Sequence, residues 1–356
     1  MPWATPTLRE VRSIVRDHIR GSLPGADASV PNSVLRVVSD TQGALCHLTL
    51  LYIDWLSLQL LPDTAETEWL DRHGQIWLVN ADGSIGRKQA TYASGTVTFT
   101  GVTGSVVPFG TRLSTANVEY ETTDPITIDG PTDGPVRALD SGTIGNLDPG
   151  AAMDIITTVD GVDGTAVVVN VSNGFDTEND EDLRTRVLLR IQNPPMGGSQ
   201  ADYVRWALAV PGVTRAWAAP EQGPGTITVR FLMDEARAED DGWPTPADIQ
   251  MVHDYIDTVR PVTVMGTYVV APIKEFIDVT ITDLVPNSGS VQAAVVESIK
   301  DMLFERAAPG VTIHIEWISQ AIIETVGVVS FNLMNHDDFV MPSLGHMAVL
   351  GTVLYD

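Results

Sequence analysis

This chain of 356 residues predicts a multidomain α+β protein. The expected parts are an N-terminal helical domain over 1–88, a central all-β sandwich-like domain over 89–173, and C-terminal α+β domains over 174–272 and 273–356. Three observations predict this. Apolar residues recur at helical spacing up to about Lys88. From Ala90 they alternate at period two between closely spaced Gly, Pro, Asp and Asn. After Asn173, helix-period and strand-period segments follow one another in series.

Thr7-Leu-Arg-Glu10 is a capping box that opens the first helix, and Leu8, Val11, Val15 and Ile19 share one side of it. Gly21 with Pro24-Gly25 ends it. A longer helix is expected from Asn32-Ser33 to Leu61, with Val34, Val38, Leu45, Leu48, Tyr52, Trp55 and Leu56 as its apolar stripe. Beyond Leu45 the apolar residues wrap nearly all round. A helix apolar on most sides must be covered on most sides, so it is either the centre of its own domain or part of a bundle with other chains. A third helix is expected from Ala65 to Trp77. The segments ASGTVTFTG, VVPFGTRLS, EYETTDPITID, VRALDSGTIGN and AVVVNVSNG then predict a β-sandwich or barrel over about 90–172.

The segment from Asn173 to Trp217 joins the β-rich half to the α+β half. Glu178, Asp180, Glu181 and Asp182 gather at a helix start, and Arg184, Arg186 and Arg190 follow, the order the helix dipole favours. Asp180–Arg184 and Asp182–Arg186 are expected i,i+4 pairs. Leu183, Val187 and Ile191 form the expected buried stripe. Asn193-Pro194-Pro195 stops this helix, Gly197-Gly198 turns the chain, and a second helix follows with Ala201, Val204 and Leu208 on its apolar side. Next comes a hairpin over 213–219 and 226–233, then a helix capped by Thr245 with Pro246 at its first position. Strands are expected at 262–271, 275–283, 311–315, 328–333 and 347–354, with helices at 290–306 and 317–326. ALAVPGVTRAWA (207–218) and IIETVGVVSFNL (322–333) echo each other as helix, Gly-Val, strand.

The net charge of −25 argues against nucleic acid, whose phosphates need clustered Lys and Arg. The acidity suits solubility, a basic partner surface, or neighbouring copies that need salt or divalent cations to approach. Cys46 is the single cysteine, so no intrachain disulfide forms, which fits a reducing compartment. MPWATPTLRE does not read as a signal peptide. The apolar run Ala44–Leu61 is broken by His47, Asp54 and Gln59 and reads as a buried or partner-facing helix, not a membrane span. The seven histidines are scattered. His314 with Glu316, and His336 with Asp337 and Asp338, are two-ligand fragments short of a metal site. Asp176-x-Glu178-x-Asp180 imitates the start of a calcium loop but lacks its glycine and closing Glu, so helix-capping charge is the better reading. Phosphate-loop, dinucleotide and nucleophile-elbow motifs are absent from the sequence. Neither a catalytic role nor a cofactor is expected.

NGFDTENDEDLRTRVLLRIQNPPMGGSQADYVRWALAVPGVTRAW (173–217) resembles the signature of the baseplate J-like proteins of contractile phage tails and related injection machines. TAETEWLDRHGQIWLV (64–79), GTVTFTG, VPFGTRLS, YETTDPITI and IGNLDPG (144–150) extend the resemblance. It implies a structural baseplate wedge protein. Paired copies would join through their C-terminal parts into a ring around the tail hub, and N-terminal helices would bundle with a partner copy and another wedge protein. Such a ring holds the sheath extended and rearranges on triggering. The implied partners are further copies, other wedge proteins, and hub, spike and sheath neighbours, in a virion tail assembled in the host cytoplasm. Leu45, Leu48, Leu51, Tyr52, Trp55 and Leu58 are the expected interface. Asp180, Asp182, Arg184, Arg186, Gly197 and Gly198 are the expected structural joint, with the glycine pair setting the angle at which the β domain is carried. The equivalent wedge of a tailocin or other contractile injection system fits equally. From another class, a tail-associated glycan-binding or depolymerising protein would need a carboxylate pair, for which Asp129 and Asp133 are candidates.

Overall fold

The computed structural model describes residues 4–115, 118–262, 264 and 266–355. Helix α1 (Leu8–Ser22) opens on the expected capping box, Thr7 and Glu10 each accepting from the other's backbone. Helix α2 (Val34–Gln59) is capped by Ser33, whose side chain accepts from the Arg36 N–H. The two helices cross at Gly43, where an added Cβ would sit 2.9 Å from Arg12 Cγ. Asp40 lies at the crossing, with Arg36 Nε at 2.8 Å and Arg16 also bonded to it. Hydrogen bonds from these two arginines pull its pKa down to about 2. The crossing is polar, so the apolar stripe of α2 is left outside.

Helix α3 (Thr67–Trp77) starts two residues later than expected. It is tied to the end of α2 by buried Gln59, which accepts from the Glu66 N–H at 2.8 Å, and by Trp55, which donates to Glu66 at 3.0 Å.

Strands β1 (Tyr92–Phe99), β2 (Val106–Val107), β3 (Arg112–Thr115), β4 (Val118–Thr122), β5 (Ile126–Thr127), β6 (Thr132–Ser141), β7 (Ala152–Ile155) and β8 (Thr165–Ser172) build the β region. Six of them close as a barrel in the order β1-β6-β4-β3-β7-β8. The region is thus a barrel rather than a sandwich. Closure follows because β1 pairs with β6 on one side and β8 on the other. Gly95 permits the latter contact, since a Cβ there would fall 1.8 Å from the Asn170 carbonyl oxygen. Phe99, Leu113, Tyr120 and Met153 fill the interior. Tyr120 donates to the Gly145 carbonyl at 2.9 Å, and burial pushes its hydroxyl pKa up to about 12.

Helices α4 (Asp180–Gln192) and α5 (Gln200–Ala209) follow. Leu183 and Val187 are buried as expected, but Ile191 is 40% exposed because the helix end runs past its neighbours. In α5 the buried side is Tyr203, Ala207 and Leu208 rather than Ala201 and Val204. Strands β9 (Arg215–Ala219) and β10 (Thr226–Leu232) form the expected hairpin. Helix α6 (Pro246–Val259) has the expected Thr245 cap, and β11 (Gly266–Val270) pairs in parallel with β10. Of the strand expected at 262–271, residues 263 and 265 lie outside the described residues.

The remaining elements are β12 (Ile273–Val285), α7 (Gly289–Arg306), α8 (Ile315–Glu324), β13 (Ser330–Leu333) and β14 (His346–Tyr355). The strand expected at 311–315 is reduced to one bridge, Ile313 to Phe339, because Ile315 already begins α8. The two echoing segments do correspond. Each delivers the antiparallel edge strand, β9 or β13, of a three-stranded mixed sheet. The two sheets meet along a tight seam. Arg230 bonds Glu221 and the Ala271 carbonyl against Gly345, and Trp243 donates to the Pro272 carbonyl at 2.7 Å.

Candidate functional site: a buried ionic joint

Asn179 caps α4 by accepting from the Asp182 N–H at 2.8 Å. Of the acidic residues around this cap, Glu181 pairs along the helix, with Arg184 three positions on, whereas Asp180 does not. Asp180 turns to Arg87 (2.6 Å) and Thr67, whose hydrogen bond leads in holding its pKa below the ordinary range. Arg184 bonds Glu181 and the carbonyls of Pro62 (3.1 Å) and Ala65 (2.9 Å). Arg186 takes both oxygens of Glu178, at 2.8 and 2.7 Å, and donates to Asn80. The expected Asp180–Arg184 and Asp182–Arg186 pairs are therefore not formed. Asp180 and Arg186 instead meet Arg87 and Glu178, partners that the fold brings in.

Glu178 and Arg186 are both buried. Glu178 also accepts from the Lys88 N–H at 3.0 Å. The Lys88 side chain is buried too and donates to the carbonyls of Leu208, Val210 and Val213, at 3.3, 3.3 and 2.8 Å. It thus closes the C-terminal end of α5. Burial is the main cause that lowers the Lys88 pKa to about 8, Arg186 adds to it, and Glu178 opposes. Asp182 moves the other way, to about 6, through burial and then the charge of Glu235. The Asn179 amide donates to Asp182 and Glu235 together and holds them close.

Apolar packing supports these charges. Leu183 and Val187 cluster with Ala65, Leu70 and Leu78. On the barrel side, Thr91 bonds Asn173 and Phe175, while Asp176 accepts from the Thr143 N–H and hydroxyl. The joint thus fastens three things at once: the N-terminal helices, the barrel and the α5–β9 unit.

Gly197 and Gly198 have φ of +75° and +123°. Their turn is pinned: Met196, Gly198 and Ser199 N–H groups all donate to Asp202. Burial works against ionising Asp202, yet these bonds hold its pKa below the ordinary value. A Cβ on Gly198 would lie 2.8 Å from Pro261. The pair lies in the turn between α4 and α5, while Lys88, Glu178 and Arg186 meet where the chain enters and leaves the barrel.

Lys88, Asn80, Arg87 and Asp202 were not among the expected joint residues. One signal was present: Lys88 is one of only three lysines and directly precedes the β-rich segment. Asp176, Glu178 and Asp180 point into three different elements, so neither a calcium loop nor simple capping describes them. His314, Glu316 and Asp338 do come together, with ligand atoms within 4.8 Å of one another. Asp338 already caps α8, accepting from Ile315 N–H at 2.9 Å and facing His314 Nδ1 at 2.7 Å. Asp129 sits on an exposed turn, and Asp133 is exposed at the start of β6, bonded to Thr98 of β1.

Of the expected interface residues, Leu45, Leu48, Leu51, Tyr52 and Leu58 are each about half exposed or more. Trp55 differs. It donates to Glu66 and its ring meets Trp69 edge-on at 6.4 Å, so its own chain partly covers it. Among the described residues, no helix is long and apolar enough to cross a membrane.

Three family models match the chain: the Baseplate J-like protein barrel domain over 96–175, the Baseplate J-like central domain over 195–271 and the Baseplate J-like protein C-terminal domain over 277–355. The chain is 33% identical to Baseplate protein gp47 of Escherichia phage Mu, over 94% of each protein. It is 32% identical to the Mu-like prophage FluMu protein gp47 of Haemophilus influenzae, over 90% of this chain and 91% of that one. A chain of the solved anti-feeding prophage baseplate is similar over 96% of this chain and 97% of its own, at 14% identity and a TM-score of 0.49, too distant to argue from.

Proposed function

The chain belongs to the baseplate J-like family, and from that premise we propose that it is a structural component of a contractile-tail baseplate, built into the wedges that ring the tail hub. Copies pair within a wedge and join into a ring through their C-terminal parts. The ring holds the sheath extended and rearranges when contraction is triggered. The relatives' names as baseplate proteins support a mechanical rather than a catalytic role.

One observation carries the wedge reading. Val34, Val38, Thr41, Leu45, Leu48 and Tyr52 repeat at alternating spacings of four and three along α2, and every one of them is exposed. That is the seam of a coiled coil without its partner helix. Residues of a monomer's own core would not be left in water in such a register.

Leu48→Asp in the full chain tests it. The substitution is at an exposed site, so stability should change by less than about 0.5 kcal/mol. When this variant replaces the parent in its particle, complete tails should fail to form under the electron microscope. Normal tails from the variant would sink the assignment. A tailocin or other contractile injection system would use the same part in the same way, and a capsid on purified particles separates the two.

A further inference from the structure

The barrel is anchored at one end. β1 begins, and β6 and β8 end, beside the joint, where Thr91 bonds Asn173 and Phe175, and Gly142 donates to the Thr91 carbonyl. The far end is closed by the short β2–β5 ladder. Its inner side is packed: Val107, Ile126 and Ile128 are buried, and Gly134 leaves room for Ile126 beside Phe99. Its outer side is bare. Val106 is 48% exposed, Val102 67% and Phe109 69%. These side chains are not on a loose loop. Val102 N–H bonds the Gly161 carbonyl at 2.7 Å, Gly104 that of Ile128 at 2.8 Å, and Gly110 that of Thr122 at 2.9 Å.

Charge around this tip is of one sign. Asp129, Asp160 and Asp163 are exposed on the turns that these bonds tie together, and Asp133 is exposed at the start of β6. Residues 91–172 hold ten Asp and Glu against two Arg and no Lys. Arg112 is within 3.9 Å of Glu119 and Glu121, and Arg137 lies over Tyr92 at the anchored end.

We propose that the free barrel tip is a docking surface for a neighbouring protein that presents an apolar recess framed by Lys and Arg. Phe109, with Val102 and Val106, is the anchor, and aromatic side chains of this kind dominate interface energies. The acidic rim sets the sign of the partner and speeds encounter. It disfavours nucleic acid and anionic membrane. It also disfavours a second copy, which carries the same −25. The inference rests on the baseplate reading for where the partner is found, namely in the same particle.

A photo-cross-linking amino acid placed at Phe109, and separately at Leu48, in the full chain of purified particles tests this. Position 109 should give an adduct with one polypeptide other than this chain, mapped by mass spectrometry to a segment bearing Lys or Arg. Asp129→Asn with Asp160→Asn should reduce that yield at least about threefold, with an unchanged melting temperature showing that the barrel still folds. If position 48 cross-links while position 109 gives no adduct, or one only with another copy, nucleic acid or lipid, the inference is overturned and the baseplate reading stands. If the chain is absent from purified particles, both fall.

Discussion

Arg186 and Glu178 show what the joint demands of single residues. Each is buried, and they pair directly, with the Lys88 ammonium 3.9 Å from Glu178 on its other side. Arg186→Ala leaves Glu178 in the interior with the Lys88 amide at 3.0 Å and its ammonium at 3.9 Å as remaining partners, and strips Asn80 of its donor, so the expected loss is about 3 kcal/mol. Thermal denaturation of the full chain measures it, and an unchanged midpoint would mean that the pair carries no such load. Asp182 predicts a pH effect. Its folded pKa is about 6 against 3.8 ordinarily, so the folded chain keeps a proton that the unfolded chain has lost. This contribution to stability falls as pH rises from 3.8 through about 6. The groups acting on it are Glu235, Glu178, Asp234 and Lys88. Asp182→Asn should remove this fall, so the variant should gain on the parent as pH rises through that window. Denaturant midpoints of parent and variant at both ends of the window decide it; parallel pH profiles would refute the assignment. Neither role was legible beforehand. Helical spacing suggests Asp182 for Arg186, whereas the true partners include Asn80, 106 positions away.

Elements were more legible than residues. Thr7–Glu10 and Thr245–Asp248 announce their helices because capping is local chemistry, written in four adjacent positions. Barrel closure was not decided in advance, since alternation tells which side of a strand is buried but not which strands meet at the ends. Val311 to Ile315 alternates like a strand, yet the backbone enters α8 at Ile315, with Asp338 from a distant loop supplying the cap. The glycine turn between α4 and α5 was visible, but its job was not. Both φ values are positive, and Gly198 faces Pro261. Gly198→Ala should cost about 1–3 kcal/mol from backbone strain, seen as a lower melting temperature. A variant as stable as the parent but defective in assembly would support the view that this pair sets the barrel's angle.

At the scale of the whole molecule, charge and exposed apolar surface pull against each other. Two copies of −25 repel wherever they approach, while the α2 seam offers apolar residues with no charge of their own to be screened. Salt shortens the reach of the repulsion, to about 10 Å at 0.1 M, and leaves apolar burial intact. Self-association of the purified full chain should therefore strengthen as NaCl rises from about 20 mM to about 300 mM. Leu48→Asp should abolish it at every salt concentration. Contact between the barrel tip and a basic neighbour should respond in the opposite sense, because there salt screens an attraction. Sedimentation velocity on the isolated chain reads the first effect without the second. Self-association that weakens with salt would mean that copies meet through ionic contacts, and the apolar seam would then not be what joins them.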